Sequence, residues 1–316
     1  MFEKILFATT ASPTCDDAAK VAFELSRKNR SQLSVFHVFG LPSRGFGLEY
    51  RDVRTGEMTE GDSNLVGLVK EEMVQYYEKL SKDHPSVQYE TLVGEPHTEI
   101  LRKARKDDVN LIIMGAHTRP EDVGASRHRA IAGSTMQKVA KSARCPVLIV
   151  SRPCVTCWSY FANIVVATDF SKASDYAFQF ARNVANDIGC TLHLFHGVDV
   201  GENANQAFIE AKVAEAERKM QEKYVANMGD FDNYKIAIRE GAPHVEVLKF
   251  AREAKADLIV MAHHTREVDP EQAVLGSTIE QVVLRSACPV LSVNHPDKVD
   301  VSPYGPGGKN SEKAAA

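Results

Sequence analysis

Long apolar runs are missing from this chain. No stretch approaches the ~20 residues needed to span a bilayer, so a membrane partner is not expected. The opening "MFEKILFATTASP" lacks a basic region followed by an extended apolar core. No secretory leader is read there, and a cytoplasmic location is expected. An excess of basic charge is missing too. Against 38 Lys and Arg stand 42 Asp and Glu, a formal net charge of −4, which gives no reason to expect a nucleic-acid partner. Cysteine is scarce, with six in 316 residues. That is too few for a scaffold that depends on disulfides. Cys145 and Cys288 each open "CPVL" before an apolar run and read as buried thiols.

Signatures of catalysis are also missing. The sequence has no HExxH, no carboxylate triad at metal-binding spacing and no G-x-S-x-G elbow. No catalytic residue is assigned, and no metal site is expected. Cys154-x-x-Cys157 has zinc or redox spacing, but no second pair lies nearby.

What the chain does have is itself, twice. "GEPHTEILRKARKDDVNLIIMGAHTR" (94–119) returns as "GAPHVEVLKFAREAKADLIVMAHHTR" (241–266), at an offset of 147 with 13 of 26 positions identical. "GSTMQKVAKSARCPVLIV" (133–150) returns as "GSTIEQVVLRSACPVLSV" (276–293), and "KILFATTAS" (4–12) as "NIVVATDFS" (163–171). Repeats of this length indicate duplicated domains rather than a solenoid. We read domain 1 as 1–151, a linker as 152–160, domain 2 as 161–295 and a flexible tail as 296–316. Segment 40–64 has no counterpart in the second copy. It is Gly-rich and charged, and is expected to be a long mobile loop.

Each copy alternates short apolar strands with helical patterns of 10–15 residues. Strands are expected at 5–8, 32–39, 87–93, 111–114 and 147–150. Their counterparts are 164–167, 191–198, 234–240, 258–261 and 290–293. Near-continuous apolar strands between helices point to a parallel sheet covered on both faces. The expected fold class is therefore α/β, as two tandem three-layer sandwiches with a five-stranded parallel sheet each.

The "IVVATDFS" opening and "GST…CPVLIV" after a strand ending "IIMG" resemble the universal stress protein family in its tandem form. The resemblance covers about 1–150 and 161–295. It implies a five-stranded parallel fold of the adenine nucleotide alpha hydrolase type. It also implies ATP or another adenine nucleotide as ligand in many members, with none in others. In members that bind nucleotide, an aspartate ends the first strand and touches the adenosine. A phosphate and ribose motif follows: Gly, two residues, Gly, nine residues, Gly, then Ser or Thr.

Neither copy completes that pattern. Copy one has Thr10 in place of the aspartate, then Gly115, Thr118, Gly133 and Ser134, and keeps the family's valine as Val38. Copy two has Asp169, then Ala262, Thr265, Gly276 and Ser277 followed by Thr278, with Gly197 where the valine would stand. The "GST" starts would offer unpaired N–H groups and a positive dipole end to a phosphate, or would simply cap their own helices. His117 with Arg119, and His264 with Arg266, lie past a strand's C-terminal end, where α/β sheets place ligands. They read either as ligand contacts or as loop residues. The cluster Arg127, His128 and Arg129 reads first as a solvated loop. His97 and His244 open helices after proline in "GxPH", and His37 and His196 end the second strands.

The leading expectation is a stress-response protein holding ATP, ADP or AMP, more readily in copy two, and acting through conformation or protein partners. The alternative is a ligand-free scaffold in which the two repeats form an intramolecular pseudo-dimer; a homodimer of whole chains is compatible with either. The third reading is a slow Mg²⁺-dependent ATPase.

Overall fold

A computed structural model describes residues 2–39, 41–42, 49–51, 58–60, 63–82, 84, 86–116, 134–152, 161–201, 205–262 and 278–295. The linker cysteines Cys154 and Cys157 and the tail from 296 lie outside the described residues.

In the first half, β1 is Lys4–Thr9, α1 Asp16–Asn29 and β2 Gln32–Phe39. Three short strands follow: β3 Leu41–Pro42, β4 Glu49–Arg51 and β5 Met58–Glu60. Then come α2 Ser63–Tyr76, α3 Glu78–Ser81, β6 Val87–Val93, α4 Pro96–Lys106, β7 Leu111–Gly115, α5 Ser134–Ser142 and β8 Val147–Val150. The second half holds β9 Asn163–Ala167, α6 Lys172–Ile188, β10 Thr191–Val198, α7 Gln206–Lys223 and β11 Tyr234–Glu240. It closes with α8 Pro243–Glu253, β12 Leu258–Met261, α9 Thr278–Arg285 and β13 Val290–Ser292.

The ten expected strands are present within a residue of where the apolar runs placed them. Their pairings are parallel wherever the register is defined. Central strands such as β7 and β12 are buried at every position. That double burial is why their sequences are continuous rather than alternating.

The expectation of two separate five-stranded sandwiches is overturned. The strands form one ten-stranded sheet, ordered β11-β10-β9-β12-β13-β8-β7-β1-β2-β6. The reason lies in edge chemistry. A half that stopped at five strands would leave β8 or β13 as an open row of unpaired N–H and C=O groups. In the ten-strand order neither is an edge strand. By contact the chain divides into two compact units, one mainly residues 2–143 with 147–150, the other mainly 151 onward; each is described by itself below.

Segment 40–64 also differs from its expectation. It carries β3, β4 and β5, which pair as a small antiparallel sheet. Antiparallel neighbours need only short links, so a Gly-rich stretch can still build strands between its breaks.

Within each unit the order has the same consequence. From β9 the chain steps to β10 and β11 on one side, then returns to β12 on the other. The strand order therefore reverses between β9 and β12. In the first unit it reverses between β1 and β7 in the same way. Such a switch point opens a crevice at the C-terminal strand ends.

Candidate functional site

The second unit's crevice begins where β9 ends. Met261 pairs with Ala167, so Ala262 and Thr168 leave the two strands side by side. Thr168 is buried, and the next residue, Asp169, is exposed. Asp169 Oδ1 accepts from Ser174 Oγ at 2.6 Å and from the Ser171 N–H at 2.9 Å. Ser171 caps α6, its hydroxyl accepting from the Ser174 N–H. The carboxylate is thus fixed at the strand end by the start of the following helix.

Between them stands Phe170 at φ 63°, a backbone region that a bulky side chain rarely enters. Its N–H donates to Thr168 Oγ1 at 2.9 Å. Its ring lies 4.4 Å from that of His196 and stacks on Tyr224 at 6.0 Å. Tyr224 is almost wholly buried. Its hydroxyl donates to Asp175 Oδ1 at 3.0 Å and sits 2.7 Å from Thr168 Oγ1. His196 donates from Nδ1 to the Thr168 carbonyl at 2.7 Å. A carbonyl can only accept, so this bond fixes the tautomer and leaves Nε2 as an acceptor. Burial holds His196 below the ordinary histidine range, so it is neutral near pH 7.

The first unit builds the same corner with different tips. Thr9 Oγ1 sits 2.5 Å from the Tyr77 hydroxyl and accepts from the Ala11 N–H at 2.9 Å. Ala11 takes the left-handed backbone, φ 49°, as Phe170 does. His37 Nδ1 bonds the Thr9 carbonyl at 2.7 Å. Asp16, the counterpart of Asp175, accepts from Tyr76 instead. Thr10, which replaces the aspartate, lies in a hydroxyl cluster with Ser12 at 2.7 Å and Thr14 at 3.4 Å, beside Cys15 Sγ.

The Thr–Tyr–His lattice was absent from the sequence-based site. A signal for it existed: Met73-x-x-x-Tyr77 and Met220-x-x-x-Tyr224 repeat at the same offset as "GxPH".

The candidate residues divide sharply. Asp169, Thr278 at the start of α9, Gly115, Ser134 at the start of α5, and Val38 are placed. Thr118, Gly133, His264, Thr265, Arg266, Gly276 and Ser277 lie outside the described residues. So do His117, Arg119, Arg127, His128 and Arg129. Gly115 is buried, and a Cβ there would stand 2.9 Å from the Thr14 carbonyl oxygen. The turn Pro13–Cys15 therefore occupies the space that the missing side chain leaves. Gly197 has a parallel explanation: a Cβ there would meet Pro243 Cα at 2.9 Å. Val38 is buried in β2, and in the second unit Pro243 takes up the equivalent room.

The other candidates are accounted for locally. His97 follows Pro96 at the start of α4, with Nδ1 3.1 Å from Glu95. Burial and Lys138 hold it below the ordinary range despite Glu95. Cys145 is buried. Cys288 is partly exposed, although burial still pushes its thiol up to about 11. Among the described residues no group of three or more His, Cys, Asp or Glu is arranged for a metal. No described helix is long and apolar enough to cross a membrane.

Two buried histidines, His84 and His193, and the half-buried His196 give the fold a pH signature. His84, His193 and His196 are all held low, chiefly by burial. Below about pH 6.5 the unfolded chain therefore binds more protons than the folded one, and stability falls with pH. The melting temperature should be lower at pH 5.5 than at pH 7.5. Replacing His196→Gln should shrink that difference. An unchanged melting temperature across the interval would contradict the assignment.

The universal stress protein family profile matches residues 1–151 and again 161–294. The chain is similar to a universal stress protein of Methanocaldococcus jannaschii, 33% identical over 147 residues, covering 44% of this chain and 85% of that one. It is similar to universal stress protein YxiE of Bacillus subtilis, 30% identical, covering 48% and 99%. Among solved structures, a universal stress protein from Archaeoglobus fulgidus superposes with a TM-score of 0.65 at 22% identity. That match covers 93% of this chain and 97% of the other, a likeness of fold.

Proposed function

We propose that this chain, which belongs to the universal stress protein family, holds an adenine nucleotide in its second half and serves the stress response through that binding. The observation that carries the reading is Asp169. Its carboxylate is exposed, yet fixed by two hydrogen bonds at the end of β9, beside the crevice where the strand order reverses. An exposed carboxylate held in place is suited to accept from a ribose hydroxyl or an adenine amine. The N-terminus of α9, beginning at Thr278, supplies N–H groups of the kind that receive a phosphate. His264, Thr265, Arg266, Gly276 and Ser277 remain candidates for the rest of the shell on the family pattern.

The first half reads differently. Thr10 spends its hydroxyl on neighbouring side chains. Gly115 admits the chain's own Thr14 carbonyl. This favours a structural role for copy one, with Thr118, Gly133, Ser134 and Val38 as its remnant of the pattern. ATP, ADP and AMP are all candidate ligands, with Mg²⁺ only alongside phosphates. No residue is assigned a catalytic role; hydrolysis would be slow and needs its own assay with and without Mg²⁺. The two tandem family domains leave protein partners and homodimer formation as proposals.

Calorimetric titration tests the reading. ATP, ADP or AMP should give saturable heat with the parent chain. Losing hydrogen bonds to a charged group costs about 1.5–3 kcal/mol, so Asp169→Ala should weaken binding by about 10- to 150-fold. Absence of heat at millimolar nucleotide would sink the proposal. Full affinity in the variant would move the site away from β9.

A further inference from the structure

The two repeats act as controls for each other on a second surface. Beneath α4, on the face of β2 and β6, lies a cavity of about 570 Å³. Ser34 and Phe36 from β2, and Gln88 and Glu90 from β6, line it. The register pairs Ser34 with Gln88 and Phe36 with Glu90. Lys4 and Gln32 bring in the beginnings of β1 and β2. This is the end of the sheet opposite the crevice at Thr9 and Gly115.

At the equivalent place the second unit packs rings together. Phe250 of α8 stands where α4 has Lys103, and His193 of β10 stands where β2 has Ser34. Phe250 stacks on Phe195 at 5.2 Å and meets His193 edge-on at 5.6 Å. The Arg239 guanidinium also lies over the Phe250 ring, at 5.2 Å from its centroid. His193 Nε2 is bonded to Asn163 at 2.9 Å. A ring for an ammonium and an imidazole for a hydroxyl are among the differences between the copies on this face, with Arg239 for Leu92 and Ala237 for Glu90.

Cations in the lining outnumber carboxylates: Lys4, Arg102, Lys103 and Lys106 stand against Glu90, Glu99 and Asp107. Lys103 is nearly buried and bonds Glu90 at 2.6 Å and Asp107 at 2.7 Å. An ammonium has three donors, so one is left. Lys4 Nζ donates to the Asp107 carbonyl at 2.9 Å, which leaves two more. Glu99 is taken by Arg102 at 2.8 Å, so each of the three lining carboxylates already has a cation. Ser34 Oγ is buried with no hydrogen-bond partner, a costly state for a hydroxyl. The Phe36 ring is buried, with the Lys103 ammonium over it at 5.5 Å from its centroid; the exposed apolar side chain of the lining is Leu92.

We infer that this cavity is a binding site for a small organic oxyanion. Its apolar body rests on Leu92, and its carboxylate or phosphate group takes the hydroxyl of Ser34 and the spare donors of Lys4 and Lys103. The occupant is a small molecule, since the volume is within the usual range of such sites. The site is independent of the nucleotide proposal, because none of its residues belongs to the second unit.

The test is a resonance-by-resonance titration of the full chain with benzoate and, separately, with phenyl phosphate. Saturable shifts are expected at the amides of Ser34, Phe36, Glu90 and Lys103. The stronger probe identifies the anionic group. The double variant Ser34→His/Lys103→Phe copies the packing of the second unit and should weaken binding at least tenfold. Ser34→Ala, which threatens the fold least, should weaken it several-fold. No saturable shift with either probe, or undiminished affinity in Ser34→Ala or in the folded double variant, overturns the inference.

Discussion

Replacing Tyr77→Ala is expected to remove about 3–5 kcal/mol of folding stability, the scale of other large aromatic truncations in a core. Tyr77 is 1% exposed. Its ring packs edge-on to Phe7 at 5.7 Å and lies 5.9 Å from Phe23. It therefore joins β1 to α1 just after α2 ends. Its hydroxyl holds Thr9, and Thr9 in turn holds the Ala11 N–H and, through its carbonyl, His37. Truncation leaves a cavity and removes one of the two hydrogen bonds of the Thr9 hydroxyl. Tyr77→Phe separates the two effects. It keeps the ring and should cost about 0.5–1.5 kcal/mol, the net worth of one hydrogen bond. Urea unfolding followed by the midpoint, at unchanged slope, measures both. A loss under 1 kcal/mol for the alanine variant would mean that the lattice is not what fixes the end of β1.

The second large effect has a diagnostic sign. Gly→Ala at a position whose backbone alanine can adopt ordinarily stabilises a protein by about 0.4–1 kcal/mol. Gly115 does not have a positive φ, so conformation raises no objection to alanine there. Yet Gly115→Ala is expected to destabilise, by about 1–3 kcal/mol. The new methyl would lie 2.9 Å from a backbone oxygen, that of Thr14, and a backbone cannot rotate out of the way as a side chain can. Ala262→Gly in the other half should cost only about 0.5–1 kcal/mol, the ordinary entropy penalty of glycine. A stabilised Gly115→Ala variant would show that the turn at Pro13–Cys15 yields freely. The glycine would then need another explanation, such as room for a ligand.

That glycine shows what a sequence reveals and what it hides. Strands such as Leu111–Gly115 were legible because burial on both faces writes an unbroken apolar run. The helices α4 and α8 were legible from "GxPH", with proline in the first turn of each. Asp169 was legible because the second opening repeats the first, and it stands where the first has Thr10. The single ten-stranded sheet was not legible, because pairing at an outer strand is made by backbone groups that every residue carries. The tyrosine lattice was hidden by separation, since Tyr77 meets Thr9 across 68 residues. Gly115 looked like part of a phosphate loop. Its reason, Thr14, lies in another element, and no local pattern connects them. The hollow under α4 was also unread, although Ser34 against His193 and Lys103 against Phe250 are plain once the repeats are aligned on their strands.

The most direct measurement is to map AMP onto the chain by amide chemical shifts. Saturable changes are expected at Thr168, Asp169, Phe170 and Ser171, with Ala262 and Thr278, and none at Thr9–Cys15 or Gly115. Changes centred on Thr10 and Gly115 instead, or no saturable change at any of these amides, would contradict it.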